Sequence, residues 1–376
     1  MPERYLDHHS SQPLSPAARR ALEEALDRFG DPLHLHERGR AAYRQLTQAR
    51  ETVADALAAD PDEIVFTSGG TESVTLALAG VAAGPRGRAV LGAAEHPVVF
   101  GALAGFQSSG LDVATVPVDT HGRVDVEAFA IEVRQPGTVV ASVQHANHEV
   151  GTMQPVAEAA LFARSAGVVF HADACQTAGR LPIDVGALGV DLLSISGHKF
   201  GGPPGTGALF VRRGVRPAGL LSGDDRERRR RAGMQNLPAI VAMAAALRER
   251  VDSMGDQAAH QWGLTNELRR GLEGRVPGVR LHGHPTQRAP HLVCMSVPDV
   301  DVEALLMALD HRGFRLDAGS VASGSPTAAS PVLAAMGVPD TIGLRAGVGP
   351  DTTEDDVEAL VTELAELVSS LRRAAS

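Results

Sequence analysis

Cysteine is scarce in this chain. Its 376 residues hold two, Cys175 and Cys294, too few for a disulfide framework or a cysteine zinc site. Aromatic residues make up 3%, with one Trp and two Tyr, which leaves no stacking platform for single-stranded nucleic acid. No stretch approaches the ~18 uninterrupted apolar residues of a membrane span. The N-terminal MPERYLDHHSSQPLSP lacks the apolar core of a secretory signal. Basic charge is also short, 35 Lys and Arg against 45 Asp and Glu for a net charge of −10. That balance argues against nucleic acid or an anionic membrane as partner. These absences predict a soluble cytoplasmic protein.

Lysine is the scarcest of the charged residues: Lys199 is the only one. Arginine serves everywhere else, and it cannot replace lysine in amine chemistry. A guanidinium stays protonated, whereas a buried ε-amine can shed its proton and attack a carbonyl.

Apolar residues reach 44%, enough for a sizeable core, and the length suits two domains at ~150 residues each. From about residue 60, short apolar runs alternate with amphipathic stretches. The expected strands are Glu63–Thr67, Ala89–Leu91, Asp112–Val116, Val139–Val143, Val168–His171, Leu192–Ser196 and Ala208–Val211. Helices are expected over Thr71–Ala83, Val126–Val133 and Pro155–Ala166. Such alternation implies βαβ units and a mainly parallel sheet, with ligands beyond the carboxyl ends of its strands. After Leu237 come two long helices, then a smaller α+β stretch with a closing helix over Glu354–Arg373. The expected organisation is a large α/β domain over 14–250, and a small domain built from 1–13 and 251–376. The basic run Arg226–Arg231 reads as a solvated loop or an interface.

Four segments at expected strand ends carry chemistry. Lys199 lies in Ser196-Gly197-His198-Lys199, ahead of a Gly/Pro loop, where Ser196 and His198 offer donors to an anion beside the amine. Thr67-Ser68-Gly69-Gly70-Thr71 joins a strand to a helix, so its backbone N–H groups suit a phosphate. Asp173, in His171-Ala172-Asp173-Ala174-Cys175-Gln176, follows a buried run and needs a cationic partner to stay ionised. His96, in Glu95-His96-Pro97, can lie against a planar ring. Together they describe a phosphorylated pyridine aldehyde joined to the only lysine, and pyridoxal 5′-phosphate fits. Two groupings, His8 and His9 with His34 and His36, and His145, His148 and His171 with Asp173, have metal-ligand chemistry. The cofactor explains the second better.

The chain resembles the cysteine desulfurases, fold-type I enzymes of the class V aminotransferase group. The resemblance rests on YLD, TSGGTES, EH, N-x-E-V-G, H-x-D-A-x-Q, SGHK-x-GGP, R-A-G and a late LR, in that order along nearly the whole length. It implies a large domain with a mainly parallel seven-stranded sheet and a smaller α+β C-terminal domain. It makes Lys199 the Schiff-base lysine, Asp173 the pyridinium partner and Gln176 the donor to the ring oxygen. His96 becomes the stacking, proton-handling residue. Gly70, Thr71, Ser196 and His198 match the phosphate binders. Arg345, with Asn147, falls on the substrate side, the arginine holding the α-carboxylate as a two-pronged pair. The family implies L-cysteine as substrate, a sulfur-acceptor protein, and a homodimer whose Arg231-Ala232-Gly233 loop reaches the partner's phosphate.

Three departures stand against the pattern. His148 replaces an Asn close to the cofactor ring, and Met234 replaces a Thr of the R-A-G-T loop. Ala322, in Asp317-Ala318-Gly319-Ser320-Val321-Ala322, stands where the family carries the catalytic cysteine that becomes a persulfide. Sulfur abstraction needs a nucleophilic thiol. Three readings therefore stay open: a desulfurase without its acceptor cysteine, by engineering or by nature; a C–S β-lyase or aminotransferase on the same scaffold; and a cofactor-binding scaffold without turnover.

Overall fold

A computed structural model describes residues 3–83, 87–319, 328–339 and 341–375. The chain opens with β1 (Arg4–Tyr5), α1 (Pro16–Leu26) and α2 (Glu37–Leu57). The central alternation begins with β2 (Ile64–Thr67), α3 (Gly70–Ala82), β3 (Gly87–Gly92), α4 (Pro97–Gln107), β4 (Leu111–Val116) and α5 (Val126–Glu132). It continues through β5 (Thr138–Ser142), α6 (Val156–Ser165), β6 (Val169–Asp173), α7 (Val185–Leu188), β7 (Leu192–Ser196) and β8 (Gly207–Val211). Helices α8 (Leu237–Asp252) and α9 (Met254–Arg275) then lead to β9 (Arg280–His282), β10 (Leu292–Ser296) and α10 (Val302–His311). Last come β11 (Phe314–Arg315), β12 (Asp317–Ala318), α11 (Pro331–Ala335), β13 (Leu344–Gly347) and α12 (Glu354–Ala375).

The seven-stranded sheet has the order β2-β8-β7-β6-β5-β3-β4. The β3–β4, β3–β5, β5–β6 and β6–β7 pairs are parallel, and β8 alone runs against its two neighbours. Every residue of β2, β7 and β8 is buried, because helices cover both faces and the strands read as unbroken apolar runs. The expected α/β architecture is present, each expected strand lying within two residues of an observed one. The reversed direction of β8 was not expected, since a short apolar strand carries no mark of its direction.

Helices α1 and α2 were not read from the sequence. The buried side of α2 is Gly39, Ala42, Leu46, Ala49, Val53, Ala54 and Leu57. Those positions recur at helical spacing opposite a charged face, so the amphipathic pattern is present in the sequence.

The largest apolar cluster joins Leu46, Phe66, Phe170, Phe210, Met243 and Leu247 across the large sheet. A second gathers Leu264, Leu305, Val357 and Leu364 around the four-stranded sheet β12-β13-β10-β9. The N-terminus joins this second cluster: Leu6 packs in it, and β1 pairs in parallel with β11.

Four of the five arginines of the basic run pair with acids at close range. Arg226 pairs with Asp31 and Asp224, Arg228 with Asp62, Arg229 with Asp225 and Arg231 with Glu72. Within it Glu227 is buried, taking both prongs of Arg50 at 2.8 Å and the Phe66 N–H at 3.0 Å. Glu227 thereby ties this segment to the sheet edge at β2.

Candidate active site

Strands β2, β3, β5, β6 and β7 end on one side of the sheet, and the segments that follow them enclose a cavity of about 490 Å³. Lys199 reaches it from a 3-10 turn, Gly197–Lys199, directly after β7. Its Nζ donates to the His9 carbonyl at 2.9 Å. Burial, then the positive charge of Arg180, pulls its pKa down to about 8, so a sizeable fraction of the amine is neutral near physiological pH. Because the chain holds one lysine, this is directly measurable. Reductive methylation of the Lys199 peptide, read by mass spectrometry, should rise with pH about a midpoint near 8. A midpoint at the ordinary 10.5 would contradict it.

Asp173 closes β6, and its Oδ1 accepts the Cys175 N–H at 2.9 Å. Gln176 donates through Nε2 to the His9 carbonyl at 3.0 Å, and its Oε1 accepts from Arg180 at 3.2 Å. His96 caps α4, its Nδ1 accepting the Val98 N–H at 3.1 Å. Its ring meets His148 edge-on, centroids 4.8 Å apart. Burial lowers the pKa of His96 and holds His148 well below the ordinary range, so both rings are neutral. Nε2 of His148 is buried without a hydrogen-bond partner.

The start of α3 forms the far wall. Gly69 has φ +153°, a conformation that L side chains rarely adopt, and a Cβ on Gly70 would lie 2.6 Å from Cys175 Sγ and 3.2 Å from Ser196 Cβ. Only glycine lets this helix terminus approach β6 and β7 so closely. Thr71 is exposed at the mouth, and Ser196 Oγ lies 3.1 Å from His198 Nδ1. Backbone N–H groups, a hydroxyl and an imidazole thus line one cavity together with Asp173 and the amine of Lys199. This donor set fits a phosphate joined to a ring with a basic nitrogen and an aldehyde.

Two expected substrate residues are placed differently. Asn147 is fully buried and spends its amide on backbone, donating to Ala94 O at 2.9 Å and accepting the Glu149 and Val150 N–H groups at 2.8 Å. It does not line the cavity; it shapes the turn that presents His148. Arg345 is also withheld from the cavity wall, paired with Asp317. Ala322 lies outside the described residues. The lining also includes His9, Ser10, Gln144 and Asp317, which the sequence reading did not assign to the site. Glycine turns and the lone lysine mark a site in sequence, but these four arrive from other segments through the fold.

The cavity thiol is a poor nucleophile. Burial, then the Asp173 carboxylate, pushes Cys175 well above the usual thiol range, and burial raises Cys294 in β10 to about 12. Both stay protonated at neutral pH, and thiols react as thiolates.

The sheet and its strand-end cavity define an aminotransferase-like α/β enzyme, and the class V aminotransferase family model matches residues 4–360. A cysteine desulfurase IscS from Methanosarcina thermophila is 36% identical, covering 98% of this chain and 92% of that protein. The chain belongs to the cysteine desulfurase family. In structure it is similar to a NifS-like protein, at TM-score 0.90 and 30% identity over 98% of this chain and 100% of that one. It is also similar to SspA in complex with cysteine, at TM-score 0.82 and 27% identity over 93% and 100%. No helix among the described residues is long and apolar enough to cross a membrane.

Proposed function

We propose that the chain binds pyridoxal 5′-phosphate in this cavity and acts on L-cysteine. The observation that carries the reading is the convergence of the sole lysine, Asp173 and the α3 phosphate donors on one cavity. The similarity to a protein seen with cysteine supports the substrate. When bound, the cofactor supplies an electron sink for the substrate's Cα electrons.

Lys199 offers an amine whose lowered pKa suits attack on an aldehyde and return of a proton. Asp173, anchored by the Cys175 N–H, would keep the ring nitrogen protonated. Gly70, Thr71, Ser196 and His198 would hold the phosphate. Gln176 would turn its amide to the ring oxygen, and neutral His96 would lie on the ring and handle protons there. Arg345 would hold the α-carboxylate as a two-pronged pair. His148, a departure from the pattern the chain resembles, adds a second neutral imidazole beside His96.

The two-domain division at about residue 250, with 1–13 in the small domain, belongs to the same reading. So does a homodimer, in which Arg231-Ala232-Gly233 would approach the partner's phosphate site. Phe29, Leu33 and Leu35, exposed at 70%, 58% and 86% between α1 and α2, are the kind of apolar surface a partner subunit covers. The thiols of Cys175 and Cys294 are unbridged, as in a reducing cytoplasm. A sulfur-acceptor protein would be a further partner.

Asp173→Ala should lower turnover by on the order of 100-fold while cofactor occupancy changes little, because the carboxylate tunes the ring and the phosphate donors carry much of the binding. Occupancy from absorbance and turnover from product release separate the two; equal turnover would reduce Asp173 to a turn cap. A C–S β-lyase is the second reading, favoured by Ala322 and by two protonated, buried thiols. Incubation with L-cysteine decides between them, since the lyase releases pyruvate and the desulfurase alanine.

A further inference from the structure

The arginine proposed to clamp the substrate's α-carboxylate already holds a carboxylate. Asp317 and Arg345 face one another directly across the antiparallel pair β12–β13. Sheet register therefore puts their side chains on one face, so the juxtaposition does not depend on a single rotamer. Asp317 Oδ2 accepts a hydrogen bond from Arg345 Nη2. The Arg345 side chain is 1% exposed and that of Asp317 35%, and Asp317 lines the cavity while Arg345 does not. The aspartate thus stands between the guanidinium and the space a substrate would enter.

The other guanidinium donors, Nε and Nη1, have no hydrogen-bond partner among the described residues but are buried, and Arg345 does not line the cavity. Nη1 lies 3.7 Å from Glu149 Oε1, in a fully buried setting. A second carboxylate added without displacement would share one guanidinium with two acids already nearby. Exchange is the cheaper route. Asp7 and His9 also gather against Asp317, His9 Nε2 at 3.7 Å from its Oδ2 and Nδ1 at 3.4 Å from Asp7. A metal ion is poorly suited to that trio, because Arg345 holds one of the carboxylates and Lys199 is bound to the His9 carbonyl.

We infer that Asp317 is a resident competitor for Arg345, which the substrate's α-carboxylate must displace. It is thereby a specificity-determining residue that weakens binding of every α-amino acid and leaves carboxylate-free amines unaffected. The inference rests on Arg345 being the clamp.

The test titrates pyridoxal 5′-phosphate-loaded protein by calorimetry and visible absorbance. L-Cysteine is compared with cysteamine, which keeps amine and thiol and lacks the carboxylate. Asp317→Asn should bind L-cysteine roughly tenfold tighter, as loss of a partly exposed competing ion pair allows, with cysteamine unchanged within about twofold. Asp317→Ser should behave alike, and circular dichroism reports the folding of each variant. In the unmodified protein the carboxylate should add less than roughly tenfold to affinity over cysteamine; a gain of roughly 100-fold would overturn the inference even without a folded variant. Unchanged L-cysteine affinity in folded Asp317 variants, with Arg345→Ala still weakening it, overturns the inference and leaves the clamp standing. No weakening in Arg345→Ala removes the clamp, and the competitor with it.

Discussion

Lys199→Ala is expected to lower turnover on L-cysteine by on the order of 10⁴-fold or more, the scale at which loss of a covalent catalytic group is felt. The variant should also lose its covalent link to the cofactor. The chain has no other lysine, so no neighbouring side chain amine can substitute. Lys199→Arg should not rescue, because a guanidinium stays protonated where the buried amine titrates near 8. The measurement is borohydride reduction of the loaded protein followed by mass spectrometry. The label should sit on Lys199 in the unmodified chain and be absent in both variants. A reduced adduct elsewhere, or turnover within about tenfold of the parent, would remove Lys199 from the reaction.

Ala322→Cys is expected to create sulfur transfer from L-cysteine that the unmodified chain lacks. In that step the new thiolate attacks the substrate's sulfur and an S–S bond forms as the Cβ–S bond breaks. The bonding electron pair stays with carbon and is protonated to give alanine. A thiol such as dithiothreitol then reduces the persulfide and releases sulfide. An alanine side chain has no lone pair for this attack. Cys175 and Cys294 do not replace it, because burial holds both thiols in the protonated form. Alanine and sulfide, assayed together with dithiothreitol present, should appear in equal amounts from Ala322→Cys and near background from the parent. Equal alanine and sulfide from the unmodified chain would show that another thiol, Cys175 or one from solution, does the work. Pyruvate from both forms would establish the lyase.

Several site residues were legible in the sequence because their chemistry allows few substitutes. A single lysine after an apolar strand, glycines between a strand and a helix, and an acid after a buried run all announce themselves. Lys199, Gly70 and Asp173 do line one cavity, as the strand-end rule for parallel sheets anticipates. The α/β fold was legible for a similar reason, since strands buried on both faces read as continuous apolar runs. Helices α1 and α2 carry the pattern of buried positions against a charged face and were equally legible, though not read.

The sequence by itself determined the single amine, the glycine turn after β2 and the absence of a thiol at position 322, since each depends on which atoms the chain contains. Tertiary structure alone decided how those atoms are engaged. It fastened the Asn147 amide to the Ala94 carbonyl, brought His9 from the N-terminus to the Lys199 amine, and set Asp317 opposite Arg345 on the neighbouring strand. Those pairings join positions 53, 190 and 28 residues apart. They follow from sheet register and the burial of two separate cores, which no local pattern of residues encodes.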